Sequence, residues 1–376
     1  MSRSTVAAAG LAALAIAMGV GRFAFTPLLP MMQADDGLTI TQGGWLASAN
    51  YLGYLAGALT AGALRVAAPR LIRAGLVLVG ASTLAMGVLD AMAAWLALRF
   101  IAGVASAWVL VFASSWCLEQ FEHDERRALL GATLFAGVGA GIAAAGAFCV
   151  WLMRAGASSA AAWIALGAAS LVGAGLLWKS FDAPAAGRGR AAANGGWSPA
   201  AVRMTVAYGA FGFGYIIPAT FLSAMARAAF PDPAVYGWSW PAFGAAAALS
   251  TFAAALLARH LADRVVWILG HLVMAAGVVL PLAVEGLAGI IGSALLVGGT
   301  FMAVTMVAMQ EARRVAGANA RKLIAAMTAA FAVGQIAGPL LVSALASRGA
   351  GFDAALAIAG ASLVASALLL VPRPTP

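Results

Sequence analysis

Residues 19–30 read GVGRFAFTPLLP and residues 212–222 read GFGYIIPATFL; each opens on a glycine pair, with Arg22 in the first where Tyr215 stands in the second. The same displacement pairs Gly44-Trp45 with Gly237-Trp238. A shift of two more positions pairs Arg126-Arg127 with Arg321-Lys322, Thr133 with Thr328 and Gly139 with Gly334. The chain therefore reads as one unit written twice, and a repeat of that length decides the architecture before any single element does.

Hydrophobic residues make up 63% of the chain and charged residues 9%, against roughly 45–50% and 25% in soluble domains. Apolar runs of about 20 residues, enough to cross a bilayer core as helix, recur from end to end. Twelve spans are predicted, the first from Val6 to Pro30, the tenth from Ile290 to Met309 and the last from Ala354 to Val371. The opening run is expected to be a retained span rather than a cleaved signal, because no polar mature start follows it. The expectation is an all-α membrane protein of twelve transmembrane helices in two six-helix pseudo-symmetric bundles. Residues 1–180 would form the first bundle, 181–203 a linker rich in Ala, Gly, Pro and Arg, and 204–376 the second.

A net charge of +9 would suggest nucleic acid in a soluble chain. Here the cations follow topology. With the N-terminus inside, Arg154, Arg227 and Arg348 fall in outer loops, Arg22 and Arg99 fall within spans, and every other Lys and Arg falls in inner loops or tails. That bias predicts both termini in the cytoplasm and an inner-membrane location, and no nucleic-acid partner. Six spans per half set the copies in the same orientation, the parallel-repeat arrangement whose substrate site lies between halves near the midplane.

Cys117 and Cys149 make no disulfide framework and have no metal-ligand spacing. No catalytic or phosphate-binding motif is present. No enzyme activity, metal or cofactor is expected. His271, alone in the ninth span, reads more readily as a residue bonded to a neighbouring helix than as a titrating one.

The intramembrane arginines carry the functional reading. Placing a guanidinium at mid-bilayer costs roughly 2.5–3.5 kcal/mol on insertion scales, normally offset by a partner, a wet cavity or an anion. Arg22 is the candidate to hold an anionic cargo group; the alternative is a structural arginine bonded to carbonyls. For Arg99 a structural or coupling role weighs at least as much as cargo contact. Phe23, Thr26, Asn50, Tyr51 and Tyr54 in the first half, and Tyr208, Phe211, Tyr215 and Thr305 in the second, are the candidate polar and aromatic lining. Gly137, Gly139, Gly141 and Gly146 in the fifth span, and Gly334, Gly338 and Pro339 in the eleventh, permit close contact and bending, with a seam between halves as the expected place. Trp45 and Trp238 are expected in the interfacial belt. No Asp or Glu lies clearly in a span core, so proton coupling, if present, is not written in an obvious membrane carboxylate.

These residues resemble the major facilitator superfamily along essentially the whole chain. RFIAGVASA, with Arg99 and Gly103, is similar to its R-x-x-x-G motif, whose arginine is associated with coupling. GQIAGP, with Gly334, Gln335, Gly338 and Pro339, is similar to its helix-contact motif. Asp263-Arg264 is what remains of its inner-loop signature, and the loop between spans two and three has Arg65 and Arg70 without the aspartate. GVGRFAFTPLLPMM with GWLASANYLGYLAGAL looks like the YbfB/YjiJ branch. The resemblance implies spans one, four, seven and ten around a central cavity and spans three, six, nine and twelve at the periphery. The reading is a monomeric secondary transporter working by alternating access on a small organic solute, an organic anion in the first instance, with protons as candidate coupling ion and lipid as surroundings. An exporter of non-anionic cargo, with Arg22 structural, is the alternative; a membrane-embedded sensor or enzyme would need an output domain or reactive cluster that the sequence does not display.

Overall fold

The computed structural model describes residues 2–371 apart from 62, 63, 65, 122, 182–197, 231, 233–235, 318 and 319, and the side chains of 320 and 321. Expectations for Arg65, Arg188, Arg190, Arg321, Arg373 and most of the 181–203 linker lie outside these residues.

Among the described residues twelve long helices follow one another: α1 (Arg3–Asp35), α2 (Ile40–Ala61), α3 (Ala68–Met86), α4 (Met92–Phe121), α5 (Arg127–Arg154), α6 (Ser159–Leu176), α7 (Pro199–Ala229), α8 (Ser239–Leu257), α9 (Asp263–Ala283), α10 (Gly286–Ala316), α11 (Ala320–Ala346) and α12 (Phe352–Leu370). All but α2 are apolar and long enough to span a membrane on composition. The exception is diluted by Gln42, Asn50, Tyr51 and Tyr54, and α2 packs on α4 and α11. Several helices overrun their predicted spans: α10 runs to Ala316, well past Met309, and α7 already begins at Pro199 inside the expected linker.

Local chemistry sets many of the ends. The hydroxyls of Ser2, Ser158 and Ser198 accept from the amides of Thr5, Ala161 and Ala201, satisfying amides left open at the starts of α1, α6 and α7. After Ser198, Pro199 occupies the first turn of α7, where its missing N–H is no loss.

The repeat is visible in these ends. α5 closes on Gly156, in the left-handed region at φ 72°, with Ala157 N–H donating to Leu152 at 3.0 Å; α11 closes on Gly349, at φ 77°, with Ala350 N–H donating to Leu345 at 3.0 Å. Both are Schellman turns with glycines 193 positions apart, so along α5 and α11 the displacement is 193 and not the 195 that pairs Gly139 with Gly334. On the opposite face Arg73 Nε donates to the Trp178 carbonyl beyond α6 at 2.8 Å, as Arg264 Nε donates to the Leu370 carbonyl of α12 at 2.6 Å. Trp45 and Trp238, also mates, are each 48% exposed, as a belt position requires.

Helices α1–α6 and α7–α12 form two six-helix bundles with matched internal packing: α2 on α4 as α8 on α10, α3 on α6 as α9 on α12, α1 on α5 as α7 on α11. Between bundles α5 packs on α8, α2 on α11 and the end of α1 on α7. The face where odd-numbered helices begin carries Ser2 and Val371; the opposite face is the distal one.

Candidate functional site

Arg22 lies in α1 within Ala15–Phe23, a π-helical stretch. Pro27, five residues after Arg22 and four after Phe23, offers the carbonyls at the end of this stretch no N–H. Side chains from α4 and α2 donate to carbonyls along it. Arg99 donates to the carbonyls of Gly21 at 3.3 Å and Arg22 at 3.1 Å, and Ser106 to that of Ala17 at 2.7 Å. Asn50 donates to Gly21 at 3.2 Å and to Arg99 at 2.8 Å. Gly103 makes this possible, since a Cβ there would stand 2.0 Å from the Asn50 carbonyl. Arg99 also lies over the Phe25 ring at 4.9 Å. Its guanidinium thus serves the backbone that carries Arg22.

The Arg22 side chain is 2% exposed. It lies on the face of Tyr54 at 3.8 Å from the ring centre, with Tyr51 and Phe23 each at 5.2 Å. Such contacts contribute roughly 2 kcal/mol when desolvated. Among the described residues it has no carboxylate in ion-pair range. Nη2 donates to Gln335 Oε1 on α11, in the other bundle, at 2.9 Å, and Nε has no partner. Gln335 Nε2 in turn donates to the Tyr215 hydroxyl of α7. The repeat mates Arg22 and Tyr215 are therefore joined through one amide.

Around Tyr215 the second bundle is aromatic. Its ring is sandwiched between Phe301 (4.6 Å, 15° between planes) and Phe331 (5.5 Å, 12°). Phe211 and Tyr208 extend the cluster, with Tyr208 stacked on Phe331 at 5.1 Å. Thr305 sits beside the Tyr208 hydroxyl and gives its own proton to Phe301 in its helix. From the first bundle Phe23 reaches Trp240 at 6.2 Å and Phe301 at 6.0 Å, edge-on to the latter.

Distal to this centre the halves close on one another. Thr26 donates to the Ala219 carbonyl at 2.6 Å, a bond between repeat mates, and the Tyr51 and Thr220 hydroxyls lie 3.0 Å apart. Arg227 donates to the Pro30 carbonyl. A Cβ on Gly44 would meet the Pro339 carbonyl of α11 at 2.9 Å.

The glycines sort into two groups. Gly139 faces Ala248 and Gly244 of α8, and Gly146 faces Pro241, so both sit in the seam between bundles. Gly137 and Gly141 press on Leu11 and Ala15 of α1, while Gly334 and Gly338 press on Gly209 and Ile216 of α7, each within its own bundle. Asp263 and Arg264 also lie apart from the centre. Arg264 caps α12, and Asp263 neighbours the ion pair in which Arg314 donates to both oxygens of Glu311 at 2.7 Å. His271 accepts from Trp267 at 2.9 Å and pairs with Ser366 at 2.9 Å, a closed packing role on α9.

Sequence reading missed Phe301, Phe331, Trp240 and Phe243. Phenylalanine in an apolar span looks the same facing lipid or cavity, and only the spacing of Phe211 by 3 from Tyr208 and by 4 from Tyr215 hints at a shared face.

The fold is that of a solved transporter, the D-xylose-proton symporter: TM-score 0.77 at 14% identity, covering 98% of this chain and 96% of that one. No curated protein matches the sequence. The model of a family described as uncharacterised MFS-type transporter YbfB matches residues 14–371. With twelve helices in paired bundles and this match over nearly its whole length, the chain belongs to that family of major facilitator transporters.

Proposed function

We propose that this transporter carries a small organic anion with an apolar body, its anionic group on Arg22 and its body against the rings of Tyr54, Phe23 and Tyr215. The observation that carries this reading is the state of Arg22: a guanidinium 2% exposed, without a carboxylate among the described residues, and with Nε unpartnered. A buried cation is costly unless compensated, and an anion that arrives and leaves compensates it without locking the site.

In this reading the bundles 1–180 and 204–376 rock about the seam lined by Gly139, Gly146 and Gly44, the distal side being closed in the form described. The excess of arginine on the face of the chain ends supports an inner-membrane orientation with both termini in the cytoplasm. The fold shared with a proton-coupled symporter makes protons the first coupling ion to test.

The test is thermal stability of the purified full chain against organic acids, amines and neutral analogues, repeated with Arg22→Ala. Carboxylates are expected to raise the melting temperature of the wild type and not of the variant; carboxylate stabilisation that survives Arg22→Ala would reject the role of Arg22. Uptake into vesicles under an imposed pH gradient, indifferent to its dissipation, would reject proton coupling.

A further inference from the structure

Arg22 presents its charge as a fork. Nε–H and one N–H of Nη2 point the same way, spaced to match the two oxygens of a carboxylate. The Gln335 oxygen sits on Nη2, and Nε is empty. Gln335 is itself wholly buried, and its amide is turned by the bond from Nε2 to Tyr215, which leaves Oε1 toward Arg22. Across the bundles, this amide does half of what a carboxylate would do.

We propose that Gln335 is a built-in stand-in for the cargo's carboxylate: it holds the Arg22 fork when the site is empty and competes with cargo for it. This rests on the anion reading above and adds the head-group class, a planar carboxylate, and the residue that sets its affinity. A neutral amide oxygen offers the Arg22 cation one hydrogen bond and no counter-charge, whereas a carboxylate offers two bonds and a full negative charge, so cargo displaces Gln335 rather than adding to it. Because Arg22 and Gln335 belong to different bundles, the same displacement undoes a tie between halves at the centre of the seam.

Removing a competing hydrogen bond from a charged donor should tighten carboxylate binding by about tenfold or more. The experiment is a thermal-shift titration of the purified full chain with sodium formate, the bare head group, and with sodium benzoate, against benzamide and sodium chloride. Gln335→Leu and Gln335→Met are expected to respond to the carboxylates at correspondingly lower concentration than wild type. Gln335→Glu, isosteric but with a permanent carboxylate on the fork, is expected to melt higher without additive and to ignore formate and benzoate.

The stand-in role is overturned if wild type responds but Gln335→Leu and Gln335→Met respond at unchanged concentration, or if Gln335→Glu still responds. A wild type and Leu variant that are both silent overturn the anion reading itself; a silent wild type with a responsive Leu variant supports both.

Discussion

At one position in the repeat, the first bundle keeps a charge and the second keeps a ring. Around Arg22 the first bundle spends its polar groups on backbone: Arg99, Asn50 and Ser106 all bond carbonyls of α1, and the winding there is π. Around Tyr215 the second bundle is regular helix enclosed by Phe211, Phe301 and Phe331. The scaffolds match down to a turn glycine and a capping arginine, yet the chemistry at the centre does not. One scaffold can thus hold a cation rigidly from one side and offer an apolar wall from the other.

The comparison predicts that ring and charge fail differently. Tyr215→Ala empties the slot between Phe301 and Phe331, and should cost about 3–5 kcal/mol of stability, as aromatic-to-alanine changes in cores do. Arg22→Ala should instead abolish carboxylate-dependent stabilisation while lowering the additive-free stability by less than Tyr215→Ala, because it also removes a buried uncompensated charge. Thermal denaturation of the two side by side decides; an Arg22→Ala protein as unstable as Tyr215→Ala would make the arginine a structural post.

Crowding sharpens the point. Gly103→Ala pushes a methyl into the Asn50 carbonyl and should cost about 1–3 kcal/mol, with Arg22 displaced along with the network behind it. Tyr215→Phe keeps the sandwich and removes only the acceptor for Gln335, so a smaller loss of about 0.5–1.5 kcal/mol is expected. If Tyr215→Phe proved the costlier of the two, the hydroxyl and not the ring would be the second bundle's contribution.

The smallest effect lies far from the centre. Asp124, between α4 and α5, accepts from the Arg126 amide at 2.7 Å and pairs with Arg3 at 3.2 Å, which together with the Arg126 side chain holds its carboxyl below the ordinary range. A depressed carboxyl stabilises the fold above the unfolded-chain value, about 3.9, and loses that contribution as pH falls through the lower folded value. Stability should therefore show no Asp124-dependent change between neutral pH and about pH 5. Asp124→Asn should remove whatever dependence is seen below that; a dependence unchanged in Asp124→Asn would assign it elsewhere.

The twelve spans were legible because a membrane helix announces itself by length and apolarity, and the halves because glycine pairs and a Gly-Trp step recur at fixed spacing. Arg22 was legible for the same reason that it is expensive. The π winding was not, since its carbonyls are bonded by Asn50, Arg99 and Ser106, and no local pattern reports where those side chains point. Nor was the role of Arg264, whose partner is a carbonyl 106 positions away. Gln335 stood in the sequence as part of a helix-contact motif, and its bond to Arg22 crosses 313 positions and two bundles.

The bond from Thr26 to Ala219 bears on how such a chain could arise. It joins repeat mates, so in a symmetric pair of identical halves each residue there would meet its own copy. The same holds nearby, where Arg22 and its mate touch a single amide: two identical halves would set guanidinium against guanidinium, with no acid at hand. A one-charge centre of this kind is closed to two identical copies and open to halves fused in a single chain, where one can keep the arginine and the other exchange it for tyrosine.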